Sequence, residues 1–195
     1  MGFSPPSERT IRWSGWESAE ESLEHLDIRP DGGGLIASGL IAGTAANRAY
    51  GLTYRLMISD AWHVREAHLQ LTTGRSLHLL NHGAGAWWVN GHARPDLHAC
   101  IDIDIQATPL TNTLPIRRLS LRRDEGATIR PVYIRVPALT AEGGLQRYTA
   151  LEPGSLYRFE SLDSGFTADL PVDPEGFVLD YPEVFRRLGP FPLMM

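Results

Sequence analysis

The central segment of the chain, residues 100–119, constrains the fold more than any other stretch. Its first part alternates strictly, with isoleucines on one face and Asp102 and Asp104 on the other. Alternation with a period of two is typical of a β-strand that packs one face on a core. Because Asp is disfavoured in strands, two of them in one strand need partners. We expect those partners to be Arg117 or Arg118, which follow shortly afterwards.

A Thr/Asn/Pro-rich stretch, Thr108–Pro115, separates the aspartates from the arginines, and we call it the elbow. The sequence predicts a rigid connection here, followed by a further strand that carries the two arginines. The polar side chains of the elbow have two interpretations, which can hold together. They satisfy local backbone groups, or they form a polar rim that hydrogen-bonds the hydroxyls of a sugar. These side chains are Thr108, Thr111, Asn112 and Thr113.

Short strand-like runs, separated by Gly, Pro, Asn and Asp, continue through nearly the whole chain. So many strands must roll up or split to hide their edges. We therefore predict an all-β, mainly antiparallel fold: a single large curled sheet or an incomplete β-barrel, with few short helices. A rolled sheet of this size has room for a ligand cavity. Strands are expected near residues 10–17, 22–29, 34–43, 48–59, 63–72, 75–81, 86–90, 100–106, 117–123, 128–137, 145–150, 155–161, 165–170 and 176–181.

Turn and helix signals complete this pattern. The only helix predicted is a short one over Pro182–Leu188, with proline at an early helical position and Gly189 just beyond its end. Residues 17–27 are rich in glutamate, so a helix is an alternative to a strand there. Hairpin tips are predicted at Thr73-Gly74, Asn90-Gly91 and Glu142–Gly144, and a turn at Asp31–Gly34.

Length and composition favour one domain. The chain has 195 residues, 43% of them hydrophobic, which is enough for a substantial core. We predict a flexible tail over residues 1–9, a single barrel-like domain over 10–189 and a second tail over 190–195. The net charge of −5 provides no basic footprint for nucleic acid. The single cysteine, Cys100, excludes an intrachain disulfide.

No targeting signal is recognisable in the sequence. The first ten residues are rich in Pro and Ser and lack the apolar core of a signal peptide. No apolar run approaches the length that spans a bilayer. We therefore expect a cytoplasmic protein without a transmembrane segment, whose oligomeric state the sequence does not fix.

Asp102 and Asp104 are the main candidates for chemistry. Side chains two apart on a strand project the same way, roughly 6–7 Å apart, as paired carboxylates or an Asp-x-Asp metal motif require. Structural salt bridges to the arginines are the favoured alternative. The histidines show no zinc-type spacing, and neither a serine nucleophile elbow nor a phosphate loop is present in the sequence. We therefore predict no metal, no cofactor and no catalytic residue.

The tryptophans provide a second kind of candidate. Most are expected in the core, but Trp87 and Trp88 are adjacent on one strand, so one ring must point inward and the other outward. An exposed ring at a cavity mouth would stack on a sugar face or lie at a lipid–water boundary. Trp62 and Arg65 belong to a charged corner between two predicted strands.

A family resemblance rests on the motif Cys100-x-Asp-x-Asp-x-Gln-x-Thr-Pro-x-Thr-Asn-Thr-Leu-Pro-Ile-Arg-Arg-Leu119. It resembles the hallmark of the bacterial putative glycolipid-binding family, formerly a domain of unknown function. The resemblance covers residues 10–189 and implies a barrel-like fold comparable with lipoprotein carriers that hold acyl chains. It supplies no catalytic residues. Other matching pieces, in order, are Gly51-Leu-x-Tyr54, Asp60-x-Trp62, Arg65, Gly85-x-Trp87, Gly91, Tyr157, Phe166, Val172-Asp173, Gly176 and Asp180-Tyr-Pro182.

These observations lead to the hypothesis of a binding protein. Its cavity would hold an amphipathic molecule, a glycolipid or fatty-acyl ligand, with the head group at a polar mouth. The hypothesis requires a cavity of at least a few hundred Å³. The alternatives are an enzyme that uses Asp102 and Asp104 on a glycolipid or sugar, and a ligand-free interaction scaffold. The ligand-binding residues expected are Trp62, Arg65, Trp88, Asp102, Asp104, Thr108, Thr111, Asn112, Thr113 and Arg117.

Overall fold

A computed structural model describes residues 2–16 and 21–189 of the chain. Within these ranges the structure has 17 strands, one α-helix and a 3-10 helix. The helix α1 spans Leu110–Leu119 and the 3-10 helix spans Pro95–Leu97. The strands are β1 (Arg9–Gly15), β2 (Ser22–Asp31), β3 (Gly34–Ala45), β4 (Arg48–Ile58), β5 (Val64–Leu71), β6 (Ser76–Asn81), β7 (Trp87–Val89), β8 (His92–Ala93), β9 (Asp102–Ile105), β10 (Gly126–Ile129), β11 (Pro131–Arg135), β12 (Thr140–Gly143), β13 (Gln146–Glu152), β14 (Leu156–Ser161), β15 (Thr167–Pro171), β16 (Asp180–Tyr181) and β17 (Phe185–Arg187).

One large antiparallel sheet dominates the molecule. Its ten strands follow the order β16-β17-β1-β2-β3-β4-β5-β6-β7-β8, so β16 and β8 are its edges. Each strand from β1 to β8 pairs with its neighbour in sequence, which is the simplest way to connect short runs by tight turns. The prediction of a mainly antiparallel, curled sheet is confirmed, and the sheet does not close into a barrel.

Two smaller sheets complete the fold. One contains β10-β13-β14-β15, and the other contains β12-β11-β9, in which β9 and β11 run parallel. Inward side chains of all three sheets and of α1 belong to a single hydrophobic cluster that includes Trp13, Leu56, Ile103, Leu114 and Tyr148. In the part of the chain that the structure describes, no helix is long and apolar enough to cross a membrane.

Three of the four predicted turns are correct. Asn90 and Gly91 connect β7 to β8 with φ of 49° and 80°, the left-handed conformation that a two-residue hairpin requires. The Asp31–Gly34 turn joins β2 to β3, and Thr73-Gly74 lies between β5 and β6. The Glu142–Gly144 hairpin is wrong, because β12 pairs with β11 whereas β13 pairs with β10 and β14.

The helix α1 replaces the predicted elbow and the strand predicted over residues 117–123. β-Branched residues and the internal Pro115 both disfavour a helix, which explains why the sequence suggested a turn. Burial overrides this preference, since every residue from Leu110 to Ile116 is buried. Ser120, with φ of 48°, ends the helix in a left-handed conformation.

The short helix predicted over Pro182–Leu188 is also wrong. β16 and β17 form an antiparallel hairpin there, and Glu183 adopts φ of 67° at its turn. β17 then pairs with β1, so the end of the domain extends the large sheet. The helical alternative for residues 17–27 fails from Ser22 onward, where β2 begins, and residues 17–20 lie outside the described ranges.

Candidate functional site

A cavity of about 470 Å³ lies between the two smaller sheets, the first turn of α1 and the β16–β17 hairpin. Its volume falls within the range of roughly 300–1,000 Å³ that is usual for small-molecule sites. Polar and apolar side chains share its wall. The polar ones include Asp104, Gln106, Thr108, Asn112, Tyr133 and Gln146, and the apolar ones include Ile105, Leu145, Phe159, Phe166, Val184 and Phe185.

Asp104 is the most deeply placed charged group of this cavity. Its Oδ1 accepts a hydrogen bond from Thr111 Oγ1 at 3.1 Å, and its Oδ2 accepts one from Gln146 Nε2 at 2.6 Å. Burial raises the pKa of Asp104 above its ordinary value, and the two hydrogen bonds lower it in part. The nearby carboxylate adds to the effect of burial in raising the pKa of Tyr133 and Tyr181. Asp104 therefore presents a fixed acceptor to the cavity.

Asp102 has a different environment, although it lies on the same strand. Arg118 on α1 donates two hydrogen bonds to it, at 3.0 and 2.5 Å, and only 1% of Asp102 is exposed. The expected partnership between an aspartate and an arginine is confirmed for this pair. Because Asp102 is fully engaged and does not line the cavity, the two aspartates do not form a paired carboxylate site.

Arg117 points away from the cavity and holds the N-terminal segment. Its guanidinium donates to the carbonyl oxygens of Ser4 at 2.8 Å and Glu175 at 2.7 Å. The same group lies 4.3 Å from the centre of the Trp62 ring and 4.9 Å from that of Phe3. Burial lowers the pKa of Arg117 below its ordinary value. The pair Trp62 and Arg117 borders a separate depression of about 500 Å³ beside residues 3–6.

The polar side chains of the elbow lie inside the molecule. Thr108, Thr111, Asn112 and Thr113 are each at most 3% exposed. Thr108 and Asn112 reach the cavity wall, and Asn112 donates from Nδ2 to the Tyr148 hydroxyl at 2.8 Å. The first interpretation, satisfaction of backbone groups, is confirmed, since Thr108 Oγ1 accepts from Leu110 N and Thr111 Oγ1 from Ile105 N. Of these four residues, Thr108 and Asn112 form part of the cavity floor.

Trp88 and Arg65 lie on exposed positions of the large sheet and do not line the cavity. Trp88 is 42% exposed, with its ring against His82, whereas Trp87 is buried and donates to the Cys100 carbonyl oxygen. The expected inward and outward pair of tryptophans is therefore confirmed. A role for Trp88 or Arg65 in ligand binding stays a prediction.

An aromatic wall that no sequence pattern indicates lines one side of the cavity. Tyr181 lies at its centre, with ring centroids 5.9 Å from Phe159, 6.0 Å from Phe166 and 6.2 Å from Phe185. At the rim, Arg135 pairs with Glu142 at 2.6 Å. Alternation in β13 and β14 places Gln146 and Phe159 on the inward face, but no sequence signal shows that different sheets converge on one cavity.

A second buried polar group lies behind the elbow. The Tyr54 hydroxyl donates to Glu24 Oε1, across Gly39, where any Cβ would lie 2.2 Å from the Tyr54 ring. Burial raises the pKa of Glu24 to about 8, while hydrogen bonds from Tyr54 and Thr108 act in the opposite direction. Among the described residues, Glu24 Oε2 and Thr113 Oγ1 are the buried side-chain oxygens without a hydrogen-bond partner.

Residues 2–16 and 21–189 contain no group of three or more His, Cys, Asp or Glu side chains that would hold a metal ion. The cavity therefore offers hydrogen-bond acceptors, hydroxyls and aromatic surface as its binding chemistry.

Comparison with known proteins identifies the family. The profile of a family described as "Putative glycolipid-binding" matches residues 10–187. A crystal structure of a DUF1089 family protein from Pseudomonas aeruginosa is 39% identical in sequence, covers 96% of both chains and superposes with a TM-score of 0.77. The search of curated proteins found no match. The chain belongs to the putative glycolipid-binding family.

Proposed function

We propose that this protein binds an amphipathic, glycolipid-like molecule non-covalently in the 470 Å³ cavity. The observation that carries this proposal is the pairing of a polar floor and an aromatic wall within one cavity. The family description points to the same class of ligand. The volume supports the proposal, because it exceeds the few hundred Å³ that the binding hypothesis requires.

The polar floor suits the hydroxyls of a sugar. Asp104 is oriented by Thr111 and Gln146, so its remaining lone pairs point in fixed directions toward a ligand. Asn112 and Tyr133 add further hydrogen-bonding groups to the same wall. A preformed acceptor loses little entropy when it binds, which favours affinity for a matching hydroxyl.

The aromatic wall suits the apolar part of the ligand. Phe166 and Val184 are partly buried and line the cavity beside Tyr181 and Phe185. Each methylene group transferred from water to such a surface contributes about 0.8 kcal/mol. Affinity should therefore grow with the length of the chain that the wall covers, while the floor determines which head group is accepted.

Of the residues expected from the sequence, we propose Asp104, Thr108 and Asn112 as direct contacts and Thr111 as a residue that positions Asp104. The enzymatic alternative with paired carboxylates is less well supported, because Arg118 engages Asp102. A cytoplasmic location stays a prediction.

A titration with decyl β-D-glucopyranoside, below its micellar concentration and followed by isothermal calorimetry, tests the proposal. We expect saturable one-to-one binding that Val184→Trp weakens strongly, because the indole would project into the cavity that Val184 lines. Leu179→Trp is the matched control, since Leu179 is 38% exposed and does not line the cavity. Equal binding by both variants, or no binding by the wild type, would overturn the proposal.

Native mass spectrometry of gently purified protein provides an independent measurement. We expect a co-purified amphipathic molecule in the wild type and in Leu179→Trp, and its loss in Val184→Trp. A bound mass that survives Val184→Trp would assign the ligand to another part of the molecule.

A further inference from the structure

We infer that the cavity accepts uncharged, hydroxyl-bearing head groups and rejects anionic ones such as phosphate esters. This inference rests on the proposed function and names the class of ligand at the same site. It follows from the charges that line the cavity and from how each is already engaged.

Carboxylates outnumber cations around the cavity. Among the described residues 2–16 and 21–189, Asp104, Glu142 and Asp163 line it, and Arg135 is the one arginine that does. Asp163 is held at the mouth by the hydrogen bond that its Oδ2 accepts from Leu145 N at 2.7 Å. An anionic head group that reached the floor would therefore pass the carboxylate of Asp163 and then lie close to that of Asp104.

Arg135 does not offset these charges for an incoming anion. Its Nε donates to Glu142 Oε1 at 2.7 Å, and its guanidinium carbon lies 5.3 Å from the centre of the Tyr133 ring. An arginine that is bound to a carboxylate and stacked on an aromatic ring has fewer free N–H donors and less uncompensated charge for a phosphate. The rim pair is consequently close to neutral as seen from the cavity.

Asp104 distinguishes the two kinds of head group most directly. Both of its oxygens already accept one hydrogen bond, and an ionised carboxylate has about four acceptor sites in total. The remaining sites match hydroxyl donors, which a sugar has and a phosphate dianion lacks. At an effective dielectric constant of about 20, the repulsion between Asp104 and a negative charge about 6 Å away weakens binding by roughly 100-fold. Since the cavity is open to water, we expect a discrimination of at least about tenfold.

Calorimetric titrations with decyl β-D-glucopyranoside and decyl phosphate, matched in chain length, test the inference. The glucoside should bind at least about tenfold more tightly than the phosphate at low salt. The difference should shrink as sodium chloride is raised, because salt screens the repulsion.

A charge variant at the rim provides a sharper test. Glu142→Gln releases Arg135 beside the mouth, so the ratio of glucoside affinity to decyl phosphate affinity should fall by about tenfold. Asp169→Asn is the matched control, because it releases Arg158 from a similar exposed pair outside the cavity. It should leave both affinities unchanged.

The outcomes separate this inference from the proposed function. If both probes bind with equal affinity and Val184→Trp blocks both, the cavity is a binding site without charge selection, and the inference is wrong. If the phosphate binds and the glucoside does not, the inference and the proposed function are both wrong. If neither probe binds, the proposed function fails and the inference fails with it.

Discussion

Glu24 is a carboxyl group that the fold keeps in its interior, only 2% exposed and hydrogen-bonded to the Tyr54 hydroxyl. Burial raises its pKa to about 8, and the hydrogen bonds from Tyr54 and Thr108 lower it only in part. A carboxyl group so placed is protonated at neutral pH, because burial penalises the charged form. Its neutral state lets the large sheet bury a polar group among apolar neighbours.

The free energy of unfolding should therefore decrease as pH rises. The pKa of Glu24 is about 8 in the folded state and near 4.5 when unfolded, so the folded state holds the extra proton between these values. The contribution of Glu24 is complete below pH 4.5 and is lost at about 1.4 kcal/mol per pH unit up to about pH 8. Urea unfolding of the wild type and Glu24→Gln across this window measures it.

Glu24→Gln should remove that part of the pH dependence, since the amide resembles the protonated acid and still accepts from Tyr54. Glu183→Gln, at an exposed position, is the control and should keep the wild-type slope. Identical slopes for all three proteins would show that Glu24 ionises normally.

Asp104 carries the second prediction at this scale. Asp104→Asn should keep the fold, because Gln146 can rotate its amide to donate or accept as required. It should weaken decyl glucoside binding by about tenfold, the loss of one charge-assisted hydrogen bond. Asp27→Asn, an exposed carboxylate on the large sheet, is the control for calorimetry. Unchanged binding by Asp104→Asn would remove this residue from the site.

At the scale of elements, the helix α1 connects the two halves of the site. Its first turn supplies Thr111 to Asp104, and its last turn supplies Arg118 to Asp102, so one helix fixes both aspartates of β9. Alternation predicted the strand β9 correctly, and charge predicted the pairing of Asp102. The helix itself was not predictable from Thr111, Thr113 and Pro115, because local propensity opposes it and only burial in the complete fold favours it.

The pair Asp102–Arg118 should therefore stabilise the position of α1. Arg118→Met leaves Asp102 buried without its partner, which typically costs about 3–5 kcal/mol. The double variant Asp102→Asn, Arg118→Met should recover part of the loss, because no unpaired charge remains. Arg158→Met breaks an equally bidentate but exposed pair and should change stability far less. Comparable losses for Arg118→Met and Arg158→Met in urea unfolding would contradict this account.

At the scale of the whole molecule, sequence patterns predict those parts of the fold that depend on local contacts. The strands predicted between residues 10 and 106 agree with β1–β7 and β9 within two residues at each end, because each depends on alternation and a nearby turn. The cavity depends on contacts such as Gln146 with Asp104, which join two sheets across 42 residues. Nothing in the local pattern of either segment encodes that contact.

The last prediction concerns the N-terminal segment. From the sequence we predict that residues 1–9 are a flexible tail, and the contacts of this segment in the structure allow a test. In the structure Ser4 N donates to the Pro174 carbonyl oxygen at 2.9 Å, Ser7 Oγ donates to Glu175 at 2.8 Å and the Phe3 ring stacks on Tyr157. Deletion of residues 1–7 should lower the free energy of unfolding by about 1–3 kcal/mol, the sum expected for a partly buried phenylalanine and a few exposed hydrogen bonds.

The same deletion should uncover Trp62, whose ring lies against Arg117 beside this segment, and shift the tryptophan emission to longer wavelength. Decyl glucoside affinity should not change, because none of residues 2–7 lines the proposed binding cavity. Phe3→Ser should reproduce most of the loss of stability, whereas Glu8→Gln, just beyond the deleted residues, should not. Full stability after deletion would show that the segment is a free tail in solution, as the sequence predicts.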